Sequence, residues 1–152
     1  MLSIDYAGHP MDRLAACVFL QRPADRHILT VWNKRAAGLC LPGGLVEEGE
    51  TPAAAAVREF REEVGLELLG VPYDLVEFYV APHESPRSRA DRVHVFTVTA
   101  PSRGDWVPRA VEPGCPIAWV TQTALLAVSP FSDFYAKMFD RLGAGFRFDL
   151  GC

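Results

Sequence analysis

With 152 residues, 49% hydrophobic and 22% charged, the chain has the make-up of one globular domain spanning 1–152 with a core of its own. A net charge of −4 argues against a dedicated nucleic-acid binder, because a phosphate backbone calls for a basic footprint. No apolar run approaches a membrane span. The start, MLSIDYAGHPMDR, lacks the basic head and apolar stretch of a signal peptide, so a soluble cytoplasmic protein without a membrane partner is expected. Cys17, Cys40, Cys115 and Cys152 form no C-x-x-C pair and have no His cluster beside them, so reduced thiols are expected rather than zinc ligands.

In chain order, Leu14 to Leu20 and His27 to Trp32 read as strands, with a turn over Pro23 to Arg26. Ala36 to Gly44, with Gly38, Pro42, Gly43 and Gly44, reads as a loop. A helix follows over Ala53 to Val64, with Thr51 as N-cap, Pro52 at the first helical position and Gly65 as the stop. Leu75 to Val80 and Val93 to Thr99 read as strands. The polar Pro82 to Arg92 between them has the composition of a lid or binding loop. Ile117 to Val120 reads as a short strand, and Thr121 to Val128 and Phe134 to Leu142 as helices. Strands interspersed with helices predict an α+β fold, a mixed sheet flanked by helices.

The Ala53 to Val64 helix carries the chemistry. Residues three and four apart share a face, so Glu59, Glu62 and Glu63 lie together. Ala53, Ala56, Val57, Phe60 and Val64 form a separate apolar stripe for the core. Arg58 stands four residues before Glu62, where an ion pair can fix geometry. A solvated acidic face is the ordinary fate of such a helix. Here, however, no lysine is interleaved to relieve the repulsion. The glycines of Pro42–Gly43–Gly44 also let backbone approach a ligand closely. Hard oxygens of this kind suit Mg²⁺ or Mn²⁺ and, through the ion, phosphates.

The run GLVEEGETPAAAAVREFREEVGL, Gly44 to Leu66, resembles the Nudix box, G-x(5)-E-x(7)-R-E-U-x-E-E-x-G-U, with U a bulky aliphatic residue. Gly44, Glu50, Arg58, Glu59, Glu62, Glu63, Gly65 and Leu66 match without a gap, and aromatic Phe60 stands at the first U. The preceding LPGG and the later IAWVTQTAL are also similar to this family. The resemblance implies an α/β/α sandwich and a hydrolase that cuts the pyrophosphate bond of a nucleoside diphosphate linked to another moiety, with Mg²⁺ or Mn²⁺ as cofactor. It implies Glu59, Glu62 and Glu63 as metal ligands, joined by the Gly43 carbonyl, with Glu59 serving instead as base in some members. Arg58 would orient a carboxylate, Glu50 would brace loop and helix, and Gly43 and Gly44 would border the substrate. The implied reaction is in-line attack of water, with the cation neutralising phosphate charge and a carboxylate taking the proton.

Many members use a further carboxylate outside the box. Glu84, Asp91 and Glu112 are the candidates here, with Glu84 first because its loop could close over the site; a solvated loop charge is an equal reading. Arg35, just before the glycines, is the expected phosphate contact, against a plain surface arginine. Arg87, Arg89 and Arg92 could clamp phosphates. Trp32, Tyr79, His94, Trp119 and Phe131 could stack on a base, although aromatics in strands more often serve the core. Pro82, sixteen residues past Leu66, has a spacing similar to ADP-ribose-type members, while the compact chain is equally similar to small nucleoside-triphosphate-cleaving ones. The alternatives are a non-catalytic Nudix-fold nucleotide sensor, which usually carries a degenerate box, and an isopentenyl-diphosphate-isomerase-like enzyme, which Cys40 near the box keeps open. A small-molecule nucleotide is the expected partner, and a homodimer is compatible with the resemblance.

Overall fold

A computed structural model describes residues 3–4, 10–11, 13–86, 91–101 and 104–146. Two short strands, β1 (Ser3–Ile4) and β2 (Pro10–Met11), pair with each other. The remaining elements are β3 (Leu14–Gln21), β4 (Ile28–Asn33), β5 (Gly38–Cys40), β6 (Gly43–Leu45), α1 (Pro52–Val64), β7 (Tyr73–Val80), a 3₁₀ turn at Pro82–Glu84, β8 (Asp91–Thr99), β9 (Ile117–Val120), α2 (Gln122–Val128) and α3 (Ser132–Phe146).

The main sheet runs β5-β4-β3-β8-β7, with β6 also on β3 and β9 also on β4. It is mixed. β3 and β8 are parallel from Leu14↔Arg92 to Gln21↔Thr99, while the other pairings are antiparallel. A parallel pair needs a long crossover, and α1 lies within it. Alternation along β3 sends Ala16, Val18 and Leu20 to one face, where they pack with Ala55, Ala56, Phe60 and Val64 of α1. Phe60 stacks on Trp106 with centroids 6.1 Å apart. Phe19, Val93 and Val95 face the other way, against Leu125, Phe134, Tyr135 and Met138 of α2 and α3. Helices on both faces of a mixed sheet make the α+β sandwich that the sequence pattern predicts.

The strongest prediction, α1, is observed with its punctuation. Thr51 Oγ1 accepts from Ala54 N–H at 3.1 Å. Gly65 adopts φ 71° and donates its N–H to Arg61 O at 3.1 Å. The stretch Ala36 to Gly44 is not simply a loop, since it carries β5 and the start of β6. Glycine-rich GGL has no intrinsic strand signal. It is extended because Leu45, Gly44 and Gly43 pair with Ala15, Ala16 and Cys17, which a local reading cannot see. The Pro82 to Arg92 loop is likewise shortened from both ends, by the 3₁₀ turn and by the earlier start of β8.

Candidate active site

The site forms where β6 crosses the end of β3 and faces α1. Gly43 comes so close to β3 that a Cβ there would collide with the Ala16 carbonyl and lie 2.6 Å from Cys17 Cα. Gly44 faces α1. A Cβ on it would overlap Glu59 Oε1 and stand 2.7 Å from the Glu59 carboxyl carbon. The glycines therefore let Glu59 and the strand share one space.

Arg58 organises the acidic face. Its Nε and Nη2 donate to Glu50 Oε2 and Oε1 at 2.8 and 3.0 Å, and Nη2 also donates to Leu45 O at 3.1 Å. Nη1 donates to Glu59 Oε1 at 2.9 Å and reaches Glu62 Oε2 at 3.5 Å. The forked Arg58–Glu50 pair ties helix to loop, as a planar guanidinium does best. The hydrogen bond to Arg58 holds Glu50 down to about 2. The Glu62 contact, which sequence spacing puts first, is the weakest of the set.

Glu63 lies deeper. Its Oε1 accepts from Gly43 N–H at 2.7 Å. Burial pushes its carboxyl up to about 8 against that hydrogen bond, with Glu59, Glu112 and Glu62 adding repulsion. Glu59 is raised too, by burial first, then by Glu62 and Glu112, while Arg58 opposes the shift. Glu59, Glu62, Glu63 and Glu112 thus repel one another, and Arg58 answers the first two by hydrogen bonds.

The shared helix face does not bring the oxygens together. Among the described residues no group of three or more His, Cys, Asp or Glu side chains gathers closely enough to hold a metal ion. Like charges separate, and Arg58 and the Gly43 amide hold the carboxylates where they are. The donor set nevertheless fits a hard divalent cation. It offers an excess of carboxylate oxygens, one of them on a buried acid whose anion is disfavoured until positive charge arrives.

Glu112 reaches the acidic face through the segment between β8 and β9. Arg109 N–H donates to Val64 O at 3.0 Å and Val111 N–H to Glu63 O at 3.3 Å, pinning the segment along the end of the helix. Glu84, ranked first in sequence, is held elsewhere. Its Oε1 accepts from Lys137 Nζ at 2.7 Å and Ala81 N–H at 2.8 Å. Burial opposes its charge, yet these bonds carry it below the usual range. Its turn packs against α3, so its side chain is committed to bracing rather than closing over Glu59 and Glu63. Asp91 is buried beside Arg13, with Nε 3.8 Å from Oδ1. Arg35 is exposed between β4 and β5. Arg92 pairs with Glu77 at 3.6 Å, while Arg87 and Arg89 lie outside the described residues, as does Cys152.

On the α3 side of the sheet a cleft opens beside Gly43 and Gly44, with an open volume of about 620 Å³ including its mouth. Cys17 and Cys40 line it. Burial, then Cys40 and Glu63, pushes the Cys17 thiol up to about 12, which disfavours its thiolate. Cys40 is buried, with Sγ 3.6 Å from Gly38 O. Of the aromatic candidates, Phe131 lines the cleft. Trp119 stacks with Arg22 at 4.6 Å, Tyr79 lies 5.9 Å from Lys137 Nζ, and His94 meets Glu77 at 2.9 Å.

The NUDIX domain profile matches residues 11–142. The chain belongs to the NUDIX family. Solved structures agree in fold. An Ap4A hydrolase of C. elegans, in a binary complex, superposes with TM-score 0.65 at 16% identity, over 88% of this chain and 99% of that one. The E. coli dihydroneopterin triphosphate pyrophosphohydrolase gives 0.56 at 21% identity, over 76% and 85%. A MutT NUDIX hydrolase from Burkholderia pseudomallei gives 0.54 at 25% identity, over 73% and 84%. A Nudix domain with its box intact makes this chain a hydrolase acting on acid anhydrides. No helix among the described residues is long and apolar enough to cross a membrane.

Proposed function

We propose that this Nudix protein is a divalent-metal-dependent pyrophosphohydrolase that cuts a nucleoside diphosphate from another moiety. The observation that carries this reading is the acidic face of Glu59, Glu62 and Glu63, held by Arg58 at Glu59 and Glu62 and by the Gly43 amide at Glu63, beside a glycine edge that opens into a cleft. Solved relatives named for Ap4A, dihydroneopterin triphosphate and MutT activities support a nucleotide-type substrate. Mg²⁺ is the expected ion, with Mn²⁺ an acceptable substitute.

Glu59, Glu62, Glu63 and the Gly43 carbonyl would hold the ion. When bound, it supplies Lewis-acid polarisation of the phosphate oxygens. The chain's own residues do the rest. Arg58, clamped by Glu50, fixes where the Glu59 carboxylate sits. Gly44 leaves room for it, and the Gly43 N–H orients Glu63. Glu112 is taken as the base outside the box, because its charge acts on both Glu59 and Glu63 while Glu84 is paired with Lys137. Arg35, exposed between β4 and β5, is retained as a candidate phosphate contact.

The test is a screen with Mg²⁺ across nucleoside triphosphates, ADP-ribose, dinucleoside polyphosphates and nucleotide sugars, following release of phosphate and nucleoside monophosphate. Turnover that stops with a chelator and returns with Mg²⁺ is expected. Failure on every class would overturn the assignment.

A further inference from the structure

We propose that Trp106 is a positioning residue for the reaction, anchoring a strap of residues 107–112 along the end of α1 and so setting Glu112 at the acidic face. This rests on Glu112 as the base of the pyrophosphohydrolase reading.

The segment between β8 and β9 carries Glu112 but has little of its own to hold it. Over residues 104–115 only Trp106 and Cys115 are buried. Val107 is 63% exposed and Val111 40%. A strap left in water gains nothing from burial, so its order depends on its two ends. The far end is a tight turn. Cys115 N–H donates to Glu112 O at 3.1 Å, and Gly114 stands at φ 75° behind Pro113, the pattern of a type II turn. The near end is Trp106, which is 8% exposed. Its ring lies over fully buried Phe60 with the planes 26° apart, and its Nε1–H donates to Glu67 O at 3.4 Å. Phe60 is the position of the box where an aromatic stands for an aliphatic, and Trp106 is what its ring meets.

Between these ends the strap runs against the last turn of α1. The Val64 and Glu63 carbonyls, which have no partner inside the helix, accept from Arg109 N–H at 3.0 Å and Val111 N–H at 3.3 Å. The Arg109 side chain crosses Gly65, where a Cβ would lie 2.9 Å from its Nε. Gly65 therefore admits the strap as well as stopping the helix. Two backbone bonds on an exposed segment are individually weak. They persist only while the strap keeps its path, and Trp106 fixes that path. Glu112 then lies where its charge acts on both Glu59 and Glu63. A base displaced by about 1 Å loses on the order of 10²-fold in rate.

The experiment joins amide hydrogen exchange on the metal-free protein to a double-mutant cycle in Mg²⁺-dependent hydrolysis of ATP, GTP, ADP-ribose and a dinucleoside tetraphosphate. In the unaltered protein the Arg109 and Val111 amides should be protected; exchange at the rate of an open chain overturns the proposal and needs no variant. Trp106→Leu should speed exchange at both amides by about 10-fold or more. It should lower kcat about 10- to 100-fold and move KM by less than about 3-fold. Trp106→Phe, which keeps a ring over Phe60, should recover most of the lost kcat; kcat and KM failing together in both variants overturns the positioning role. Added to Glu112→Gln, Trp106→Leu should cost less than about 3-fold more, because the group it positions is gone. A full second loss overturns the positioning role and leaves Glu112 as the base. An unchanged kcat for Glu112→Gln alone removes the base reading, and the positioning role falls with it.

Discussion

Gly43 and Gly44 are neighbours in sequence but should respond to alanine in opposite ways. A Cβ at Gly44 would sit 2.7 Å from the Glu59 carboxyl carbon, where ordinary contact needs 3.4–4 Å. The obstacle is the end of a flexible side chain, so the carboxylate can retreat by about 1 Å at little cost in stability, under about 1 kcal/mol. Retreat strains its 2.9 Å bond from Arg58 and moves it from the place where a cation would be held. A misplacement of about 1 Å costs roughly 10²-fold in rate. At Gly43 the obstacle is β3 backbone, the Ala16 carbonyl and Cys17 Cα, which cannot retreat without parting β6 from β3. Overpacking of that kind costs about 1–3 kcal/mol or more. Steady-state turnover with Mg²⁺ and urea denaturation in chelator separate the two effects. Gly44→Ala should keep the midpoint and lose about 10²-fold in kcat; Gly43→Ala should lose the midpoint. A Gly44→Ala protein with unchanged kcat, or equal destabilisation by both, would refute the reasoning.

Glu62→Gln should abolish Mg²⁺-dependent hydrolysis while circular dichroism and melting stay unchanged; retained turnover argues against its role as a ligand. Glu112→Gln should slow kcat by about 10²- to 10⁴-fold as expected for loss of a general base, whereas Glu84→Gln should leave kcat alone; the reverse order would restore Glu84 as the base. The Glu63 carboxyl, raised by burial to about 8 from its ordinary 4.5, gives the metal-free protein a pH signature. The folded state keeps a proton that the unfolded state releases, so stability in chelator is highest near pH 4.5 and falls as pH rises toward 8. The loss is on the order of 4 kcal/mol. Glu63→Gln keeps the acceptor for Gly43 N–H and should lack this loss; urea curves from pH 5 to 8.5 with matching slopes for both proteins would count against it.

Local chemistry in the sequence determines α1 and the identity of its acidic face. Thr51, Pro52 and Gly65 punctuate the helix, and the spacing of Phe60 and Val64 against Glu59, Glu62 and Glu63 separates core from site. These signals act over a few residues, so they are legible without a fold. Tertiary contacts decide the rest. Gly43–Leu45 becomes a strand only because β3 supplies its hydrogen bonds, and β1 and β2 have no sequence signal strong enough to predict them. Glu84 and Glu112 are equivalent as letters. Lys137, 53 residues away, draws one to α3, and backbone bonds to Val64 and Glu63 bring the other's segment to the acidic face. Asp91 reads as a polar loop residue until pairing with Val80 of β7 makes it the first residue of β8, on the same face as Val93. A carboxylate's role depends on which charges and how much water surround it, and long-range pairing fixes both.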